Sequence, residues 1–269
     1  MLLLTLILSN FSPVYILADD QNHTTNQTYN EAIALFQQGK FEEAKAKFEQ
    51  SVQTQGPNPY LLYNLALTEL KLGRVGPALG LWRKALDLDP GFGRARDAIE
   101  HTNEKMKIKE LPHKITATET LRKKLLSHFS LSDFLLLTAL SLASAGWLGL
   151  SYFGRRFRAK KGEDRAPAFP GIALLLSLSF VAFATLTVLK AVDENQTRAT
   201  VIAPKIEARA GPGAEQASLF ELFEGMEVIV RESLKTDDEK QWVQVTYPGG
   251  MTGWIPAETM MISSGAGTW

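Results

Sequence analysis

The chain has 269 residues, a formal net charge of zero, 45% hydrophobic residues and no cysteine. The balanced charge gives no basic bias toward nucleic acid, and the absence of cysteine excludes disulfides, thiol catalysis and cysteine-ligated metals. The four histidines do not have the spacing of a metal site, so we expect neither a metal nor another cofactor. The hydrophobic residues are concentrated in three runs, and this distribution predicts a multi-domain membrane protein.

The first apolar run opens the chain as MLLLTLILSNFSPVYILADD. It is short, is interrupted by Pro13 and is followed at once by polar sequence, which predicts a signal peptide over residues 1–18. No Lys or Arg precedes the apolar core, unlike the usual pattern, and an uncleaved N-terminal anchor is the alternative. A signal peptide implies export of the domain that follows it.

An internal repeat occupies residues 28–90. The aligned pairs, each at an offset of 34 residues, are Gly39 with Gly73, Ala44 with Ala78, and Phe48 with Trp82. This is the period of tetratricopeptide repeats, in which each unit is a pair of helices. The alanines suit close helix crossings, and the glycines suit the left-handed residue that ends a helix. We therefore predict an all-α domain over 19–110, with repeats at about 25–58 and 59–92 and a capping helix at 92–110.

Tetratricopeptide arrays hold another protein on the concave face formed by the first helix of each pair. By motif position, that face would present Tyr29, Ile33, Phe36, Tyr63, Leu67 and Lys71. The alternative for each of these side chains is packing against the next helix. Because about three units are usually needed for a stable array, we expect a partner or the membrane to complete this one.

Residues 111–130 lead to two long apolar runs. The stretch TATETLRKKLLSHF predicts either a short amphipathic helix at the membrane surface or a plain polar linker. The runs at 131–153 and 169–189 would each reach roughly 30–35 Å as helices, enough to cross a hydrocarbon core of about 30 Å. Buried core helices are the weaker alternative, because neither run has a polar face. We predict a two-helix transmembrane hairpin.

The segment between the runs, 154–168, is rich in basic residues. They are Arg155, Arg156, Arg158, Lys160, Lys161 and Arg165. The positive-inside rule assigns such a loop to the cytoplasm, which would leave both flanking domains in the periplasm, anchored to a bacterial inner (cytoplasmic) membrane. A loop this short, tethered at both ends, favours anionic lipid headgroups over nucleic acid as a partner.

From Thr200 the sequence changes to short alternating segments separated by turn signals, which predicts five or six strands over 200–263. Four pieces resemble the bacterial SH3-like barrel, namely ARAGPG at 208–213, LFELFEGMEVIV at 219–230, WVQV at 242–245 and GWIPAE at 253–258. The resemblance implies an all-β barrel with a groove for peptides or cell-wall fragments. Its candidate lining residues are Trp242, Tyr247, Trp254 and Pro256. The alternative for Trp242 and Trp254 is a place in the barrel core, and this alternative is favoured for Trp242.

The order of signal peptide, helical repeats, hairpin and barrel resembles BatE-type proteins of aerotolerance operons. That resemblance implies a scaffold that binds protein partners through its helical groove, beside von Willebrand A-domain membrane proteins and a MoxR-type ATPase. The alternative function is a sensor or anchor that binds peptidoglycan through the SH3-like domain. The chain lacks a nucleophile–base constellation, so we do not expect an enzyme.

Overall fold

The computed structural model describes residues 25–106, 120–122, 125–162, 168, 171–236, 239–247 and 249–265. The chain forms two compact units. One combines the N-terminal helices with the C-terminal sheet, and the other is Leu121–Asn195. The predicted signal peptide at 1–18 and much of the linker at 111–130 lie outside the described residues.

Helices build the N-terminal part of the first unit. In the described residues up to 106 they are α1 (Thr25–Gln37), α2 (Phe41–Gln55), α3 (Pro59–Lys71), α4 (Val75–Leu88) and α5 (Gly93–Met106). Each helix packs against the next one along the chain. Gly39 follows α1 and Gly73 follows α3, with φ of 77° and 80°, the left-handed conformation predicted for them. Both turns therefore need a residue without a Cβ.

One hydrophobic core runs through these five helices. Ala44 and Ala78 are fully buried, and so are the larger side chains of Phe48 and Trp82. Asn58 starts α3, because its side-chain oxygen accepts a hydrogen bond from the Leu61 backbone N–H at 2.8 Å. Two of the three aligned pairs, Ala44 with Ala78 and Phe48 with Trp82, are thus core positions, whereas Gly39 and Gly73 lie in the turns.

The second unit consists mainly of α6 (Leu131–Lys160) and α7 (Gly171–Glu194), preceded by a short 3-10 turn at Leu126–His128. The two helices pack side by side, with Thr138 Oγ1 3.0 Å from Thr187 Oγ1. Both are long and apolar enough to cross a membrane. Their surface carries exposed large apolar side chains, which suits contact with lipid rather than water.

Helix α6 is longer than the predicted span at 131–153. It continues through the first part of the predicted loop at 154–168 and ends at Lys160, just before Gly162 with its φ of 80°. The prediction of a loop from residue 154 was wrong. Arg and Lys have high helix propensity, so a run of basic residues can continue a helix beyond its apolar part. At the other end, Ser130 and Asp133 form a capping box, in which the Asp133 carboxylate accepts a hydrogen bond from the Ser130 backbone N–H.

The C-terminal part of the first unit is a seven-stranded antiparallel sheet. Its strands are β1 (Arg198–Val201), β2 (Lys205–Arg209), β3 (Ser218–Phe223), β4 (Glu227–Lys235), β5 (Gln241–Tyr247), β6 (Met251–Pro256) and β7 (Met260–Ser264). Their order across the sheet is β3-β2-β6-β5-β4-β1-β7. The prediction of five or six strands was too low, because β1 is buried at every residue and has no alternating pattern.

The sheet encloses a second hydrophobic core. Its fully buried members include Val201, Leu222, Val228, Val245 and Ile255. A 3-10 turn at Ala257–Thr259 links β6 to β7. Within the same unit, α4 packs against β1 and β7, so the helices and the sheet are in direct contact.

Candidate ligand-binding cleft

A cleft of about 850 Å³ opens at one end of the barrel, between β2, the turn joining β4 to β5, and the end of β6. Its apolar lining is Ile206, Trp242, Pro256 and Ala257, with Ala214 at one side. Its charged lining is Lys205, Glu207, Arg209, Glu239, Lys240 and Glu258, and Gln241 completes it. The cleft therefore offers an apolar floor and a rim of both charges.

Strand β2 supplies one charged wall. Its sequence KIEAR places Lys205, Glu207 and Arg209 two residues apart, so the three side chains share one face of the strand. Ala208 lies on the other face and is fully buried in the barrel core. The alternation of β2 thus places its three charged side chains on the face opposite Ala208, whereas Ile206 borders both the core and the cleft.

Strands β5 and β6 supply the floor. Trp242 and Pro256 are directly opposite each other in this antiparallel pair. Val243 and Val245 point into the barrel core, so Trp242 lies on the opposite face of β5. Its side chain is nevertheless only 4% exposed. The indole is consequently a fixed, preformed surface at the cleft.

Arg209 organises the loop between β2 and β3. Its guanidinium donates hydrogen bonds to the carbonyl oxygens of Ala214 and Gln216, and it contacts Glu207 at 3.2 Å. A guanidinium has several donors in a rigid fork, so one side chain can hold the loop and one wall together. Arg209 therefore positions the cleft edge.

Lys205 lies at the exposed end of the same strand. Its Nζ is 2.7 Å from Glu221 Oε1 on β3. The hydrogen bond and charge of Glu221 raise the pKa of Lys205 above its ordinary value, so the amine stays protonated at physiological pH. The cationic charge of this wall is therefore permanent in neutral solution.

The turn between β4 and β5 forms the opposite rim. Both the backbone N–H and the hydroxyl of Thr236 donate to the Lys240 carbonyl oxygen at 3.0 Å. Glu239 has a φ of 62°, in the left-handed region that non-glycine residues seldom adopt. Together with the hydrogen bond from the Glu239 N–H to the Thr236 carbonyl oxygen, this conformation closes the turn beside the cleft.

The Gly253–Trp254 dipeptide lies in β6, where this strand pairs with β2. A Cβ on Gly253 would lie 2.9 Å from the Ala208 Cβ and 3.3 Å from two backbone atoms of β2. Only glycine permits this close approach of β6 to β2. Trp254 then pairs with Arg209 on β2 and with Gln244 on β5. The dipeptide therefore links the strand that carries the charged wall to the strand that carries the floor.

The four predicted groove residues separate into two groups. Trp242 and Pro256 line the cleft together. Tyr247 is a member of the barrel core, and Trp254 is buried without contributing to the cleft lining. Sequence reasoning selected the aromatic residues and missed the charged rim. The signal for that rim was available, since Lys205, Glu207 and Arg209 alternate along β2.

The predicted concave-face residues of the helices also differ in burial. Tyr29, Ile33 and Leu67 are buried in the helical core, whereas Phe36, Tyr63 and Lys71 are partly exposed. Tyr29 accepts a hydrogen bond at 2.6 Å from the Asn64 side-chain amide, which joins α1 to α3. Burial raises the pKa of Tyr29, an effect that this hydrogen bond partly opposes. Tyr29, Ile33 and Leu67 are thus core positions, and Phe36 and Tyr63 also pack against that core with part of their surface exposed.

Within the described part of the chain, no group of three or more His, Asp or Glu residues could hold a metal ion. An antiparallel sheet of short strands that encloses its own hydrophobic core is consistent with an SH3-like domain.

The comparison with known families makes that class more specific. Residues 190–260 match the family model of the GW (Gly-Tryp) dipeptide domain. GW domains are bacterial SH3-like domains that bind the cell wall. The matched range contains the Gly253–Trp254 dipeptide that joins β6 to β2. Comparisons with curated proteins and with solved structures found no match to this chain.

Proposed function

We propose that this protein binds the bacterial cell wall through the cleft of its C-terminal barrel. The observation that carries the proposal is the coincidence of a GW domain at 190–260 with a preformed cleft in the same residues. The cleft combines a buried indole with exposed charges, the composition of a site that binds a polar ligand with an apolar part.

The charges indicate the kind of wall fragment. Three cationic and three anionic side chains surround the floor, so the rim has no net charge. A ligand that carries both an amine and a carboxylate would find a partner for each. The peptide stems of peptidoglycan have this chemistry, whereas a purely anionic polymer would meet Glu207, Glu239 and Glu258.

The test is binding of the full chain, in detergent, to purified peptidoglycan. The variant Lys240→Glu reverses one exposed rim charge and leaves Trp242 and the barrel core in place. We expect Lys240→Glu to weaken binding to peptidoglycan several-fold and more strongly at low salt, because an exposed charge pair is worth up to about 1 kcal/mol and the reversal replaces attraction with repulsion. The matched control is Lys235→Glu, an equally exposed lysine on β4 that does not line the cleft. Equal binding by both variants and the unchanged chain would refute the proposal.

The two apolar helices would anchor this binding domain. We propose that α6 and α7 cross the bacterial inner membrane as a hairpin, with the basic end of α6 in the cytoplasm and both soluble parts in the periplasm. Support comes from the length and apolar surface of both helices and from the basic residues up to Lys161. Membrane anchoring and wall binding together make a tether between two layers of the envelope. Such a protein acts by binding and not by catalysis.

A scaffold function is the second candidate. The 34-residue repeat and its left-handed glycines favour the tetratricopeptide interpretation of α1 to α4. Phe36, Tyr63 and Lys71 keep partly exposed surface on the first helix of each pair. Burial lowers the pKa of Lys71, as expected for an amine partly withdrawn from water. A protein partner in an aerotolerance complex of the BatE type would use this surface. Loss of that partner's binding in Tyr63→Ala, with binding kept in Lys240→Glu, would identify the helical surface as the binding site.

A further inference from the structure

Helix α4 contacts the barrel along one face. Gly76, Gly80 and Arg83 are spaced by four and three residues, so they lie in a single stripe along the helix. Neither glycine belongs to the repeat positions predicted from the 34-residue offset. Each glycine inside a helix costs about 1 kcal/mol relative to alanine, so two in one helix require a reason.

Close approach of the barrel supplies that reason. A Cβ on Gly76 would lie 2.8 Å from the Ile202 Cα, the Val201 carbonyl oxygen and the Glu224 Cγ. At Gly80, a Cβ would collide with the end of the Met261 side chain and lie 3.5 Å from the Thr200 Cβ. Gly76 thus lets the helix backbone approach β1 and the end of β3 more closely than any other residue would allow, whereas at Gly80 the obstacle is the flexible end of the Met261 side chain.

Hydrogen bonds accompany this contact. The Gly76 backbone N–H, in the first turn of α4, donates to Glu224 Oε1 at 2.7 Å. The first N–H groups of a helix have no partner within the helix, and a carboxylate there also interacts favourably with the helix dipole. A residue of the barrel, Glu224, therefore performs the capping function that Arg74, the residue before α4, does not provide.

Arg83 adds two charge-assisted hydrogen bonds further along the stripe. Its guanidinium donates to Thr200 Oγ1 at 2.7 Å and to the Gly225 carbonyl oxygen at 2.9 Å. Thr200 is fully buried, so its hydroxyl needs such a partner. Nearby, Met261 of β7 packs against the hydrophobic core of the helices. The contact between α4 and the barrel thus combines hydrogen bonds, apolar packing and a close backbone approach.

We propose that the barrel is the unit that completes the short helical array, and that the two parts fold as one body. Two helix pairs are fewer than such arrays usually need, and the barrel covers the second helix of the second pair. Since the helices precede the apolar hairpin and the barrel follows it, their docking requires that both ends of the hairpin leave a bilayer on the same side. This inference does not depend on the ligand of the cleft.

The absence of cysteine allows a direct test in the full chain. The Gly80 and Thr200 Cβ positions are 3.5 Å apart, within the range of about 3.5–4.5 Å found in disulfides. We would introduce Gly80→Cys and Thr200→Cys, with Met261→Ala to make room, and oxidise the detergent-solubilised protein. The expected result is an intramolecular disulfide in most molecules, seen as a mobility shift on a non-reducing gel. The matched control pairs Gly80→Cys with Leu219→Cys, an exposed barrel residue, and should give no such shift.

Failure of the first pair to form the disulfide, with both thiols open to alkylation, would overturn the proposal. A second measurement does not depend on the introduced cysteines. Amide hydrogen exchange of β1 in the unmodified chain should be slow, and Arg83→Ala should accelerate exchange at least tenfold in both β1 and α2, because the two parts unfold together. Unchanged exchange in β1 would also overturn the proposal.

Discussion

The guanidinium of Arg83 donates a hydrogen bond to the Thr200 hydroxyl oxygen at 2.7 Å. The two residues are 117 positions apart in the sequence, and both apolar helices lie between them. The same side chain reaches the Gly225 carbonyl oxygen. A helix of the N-terminal part is thereby joined to the first strand of the C-terminal barrel. The cleft and the N-terminal helices consequently belong to one compact unit.

Replacement of Arg83 should show how much this junction contributes to stability. We expect Arg83→Ala to lower the free energy of unfolding by about 1.5–3 kcal/mol, the usual value for hydrogen bonds to a charged group. Arg83→Lys should recover less than half of the loss, because an ammonium cannot reproduce the two-donor fork. Thermal unfolding in detergent would measure both, with Lys235→Ala as the surface control. Equal stability of Arg83→Ala and the control would contradict the expectation.

The two helical glycines should respond differently to alanine. Helix propensity alone predicts that Gly76→Ala and Gly80→Ala each stabilise the protein by about 1 kcal/mol. At Gly80 the new methyl meets only the flexible end of Met261, so we expect a neutral or stabilising effect. At Gly76 it meets backbone atoms at 2.8 Å, so we expect a loss. Calorimetry would measure the stability of both variants. A gain in stability at both positions would be incompatible with a helix docked on the barrel.

Gly253 should resist substitution because of its distance from β2. Gly253→Ala should destabilise the barrel by about 1–3 kcal/mol, the range for overpacking. Ala208→Gly removes the nearest atom, at 2.9 Å, and should restore part of the stability in the double variant. Urea unfolding followed by tryptophan fluorescence gives the double-mutant cycle. Strict additivity of the two substitutions would show that the contact between β6 and β2 is not the cause.

Alkaline pH should weaken the helical core through Tyr29. Its pKa is raised above 10.0 by burial, so the neutral form is favoured in the folded state. The resulting stability is complete below the unfolded pKa and is lost as the pH rises through the folded pKa. Tyr29→Phe should flatten the stability profile above about pH 10, as measured by urea unfolding. A profile equally steep in Tyr29→Phe would assign the loss to other groups.

The same variant has a cost at neutral pH. Tyr29→Phe leaves the Asn64 amide without its 2.6 Å partner in a buried position, which should lower stability by about 1–3 kcal/mol. Adding Asn64→Leu removes the stranded donor and should recover much of the loss, since exchanging both partners for apolar groups is close to neutral. No recovery in the double variant would mean that the lost stability does not come mainly from the polar contact.

Much of the local structure could be predicted from the sequence. The offset between Gly39 and Gly73 identified two turns that adopt a left-handed conformation. The apolar runs identified α6 and α7, because a bilayer-spanning helix needs only length and apolar composition. Prediction failed where two signals conflicted, as at 154–160, where basic residues that suggested a loop continue the helix.

The site was less predictable than the fold. Trp242 and Pro256 were selected for their residue type, and both line the cleft. Tyr247 was selected on the same grounds and lies in the core, since its position on β5 gives it the opposite face. Residue type indicates which side chains can bind a ligand, but strand pairing decides which of them meet.

The sequence by itself determined the order of parts: paired helices, an apolar hairpin and a sheet with a Gly–Trp dipeptide. Local periodicity, turn glycines and apolar length are short-range properties, so they are legible without tertiary contacts. Only the tertiary structure decided the role of Gly76, Gly80 and Arg83, which looked like ordinary helix residues. These residues contact barrel residues that are more than 100 positions away in the sequence. A local sequence pattern cannot predict such contacts, because only folding brings the two segments together.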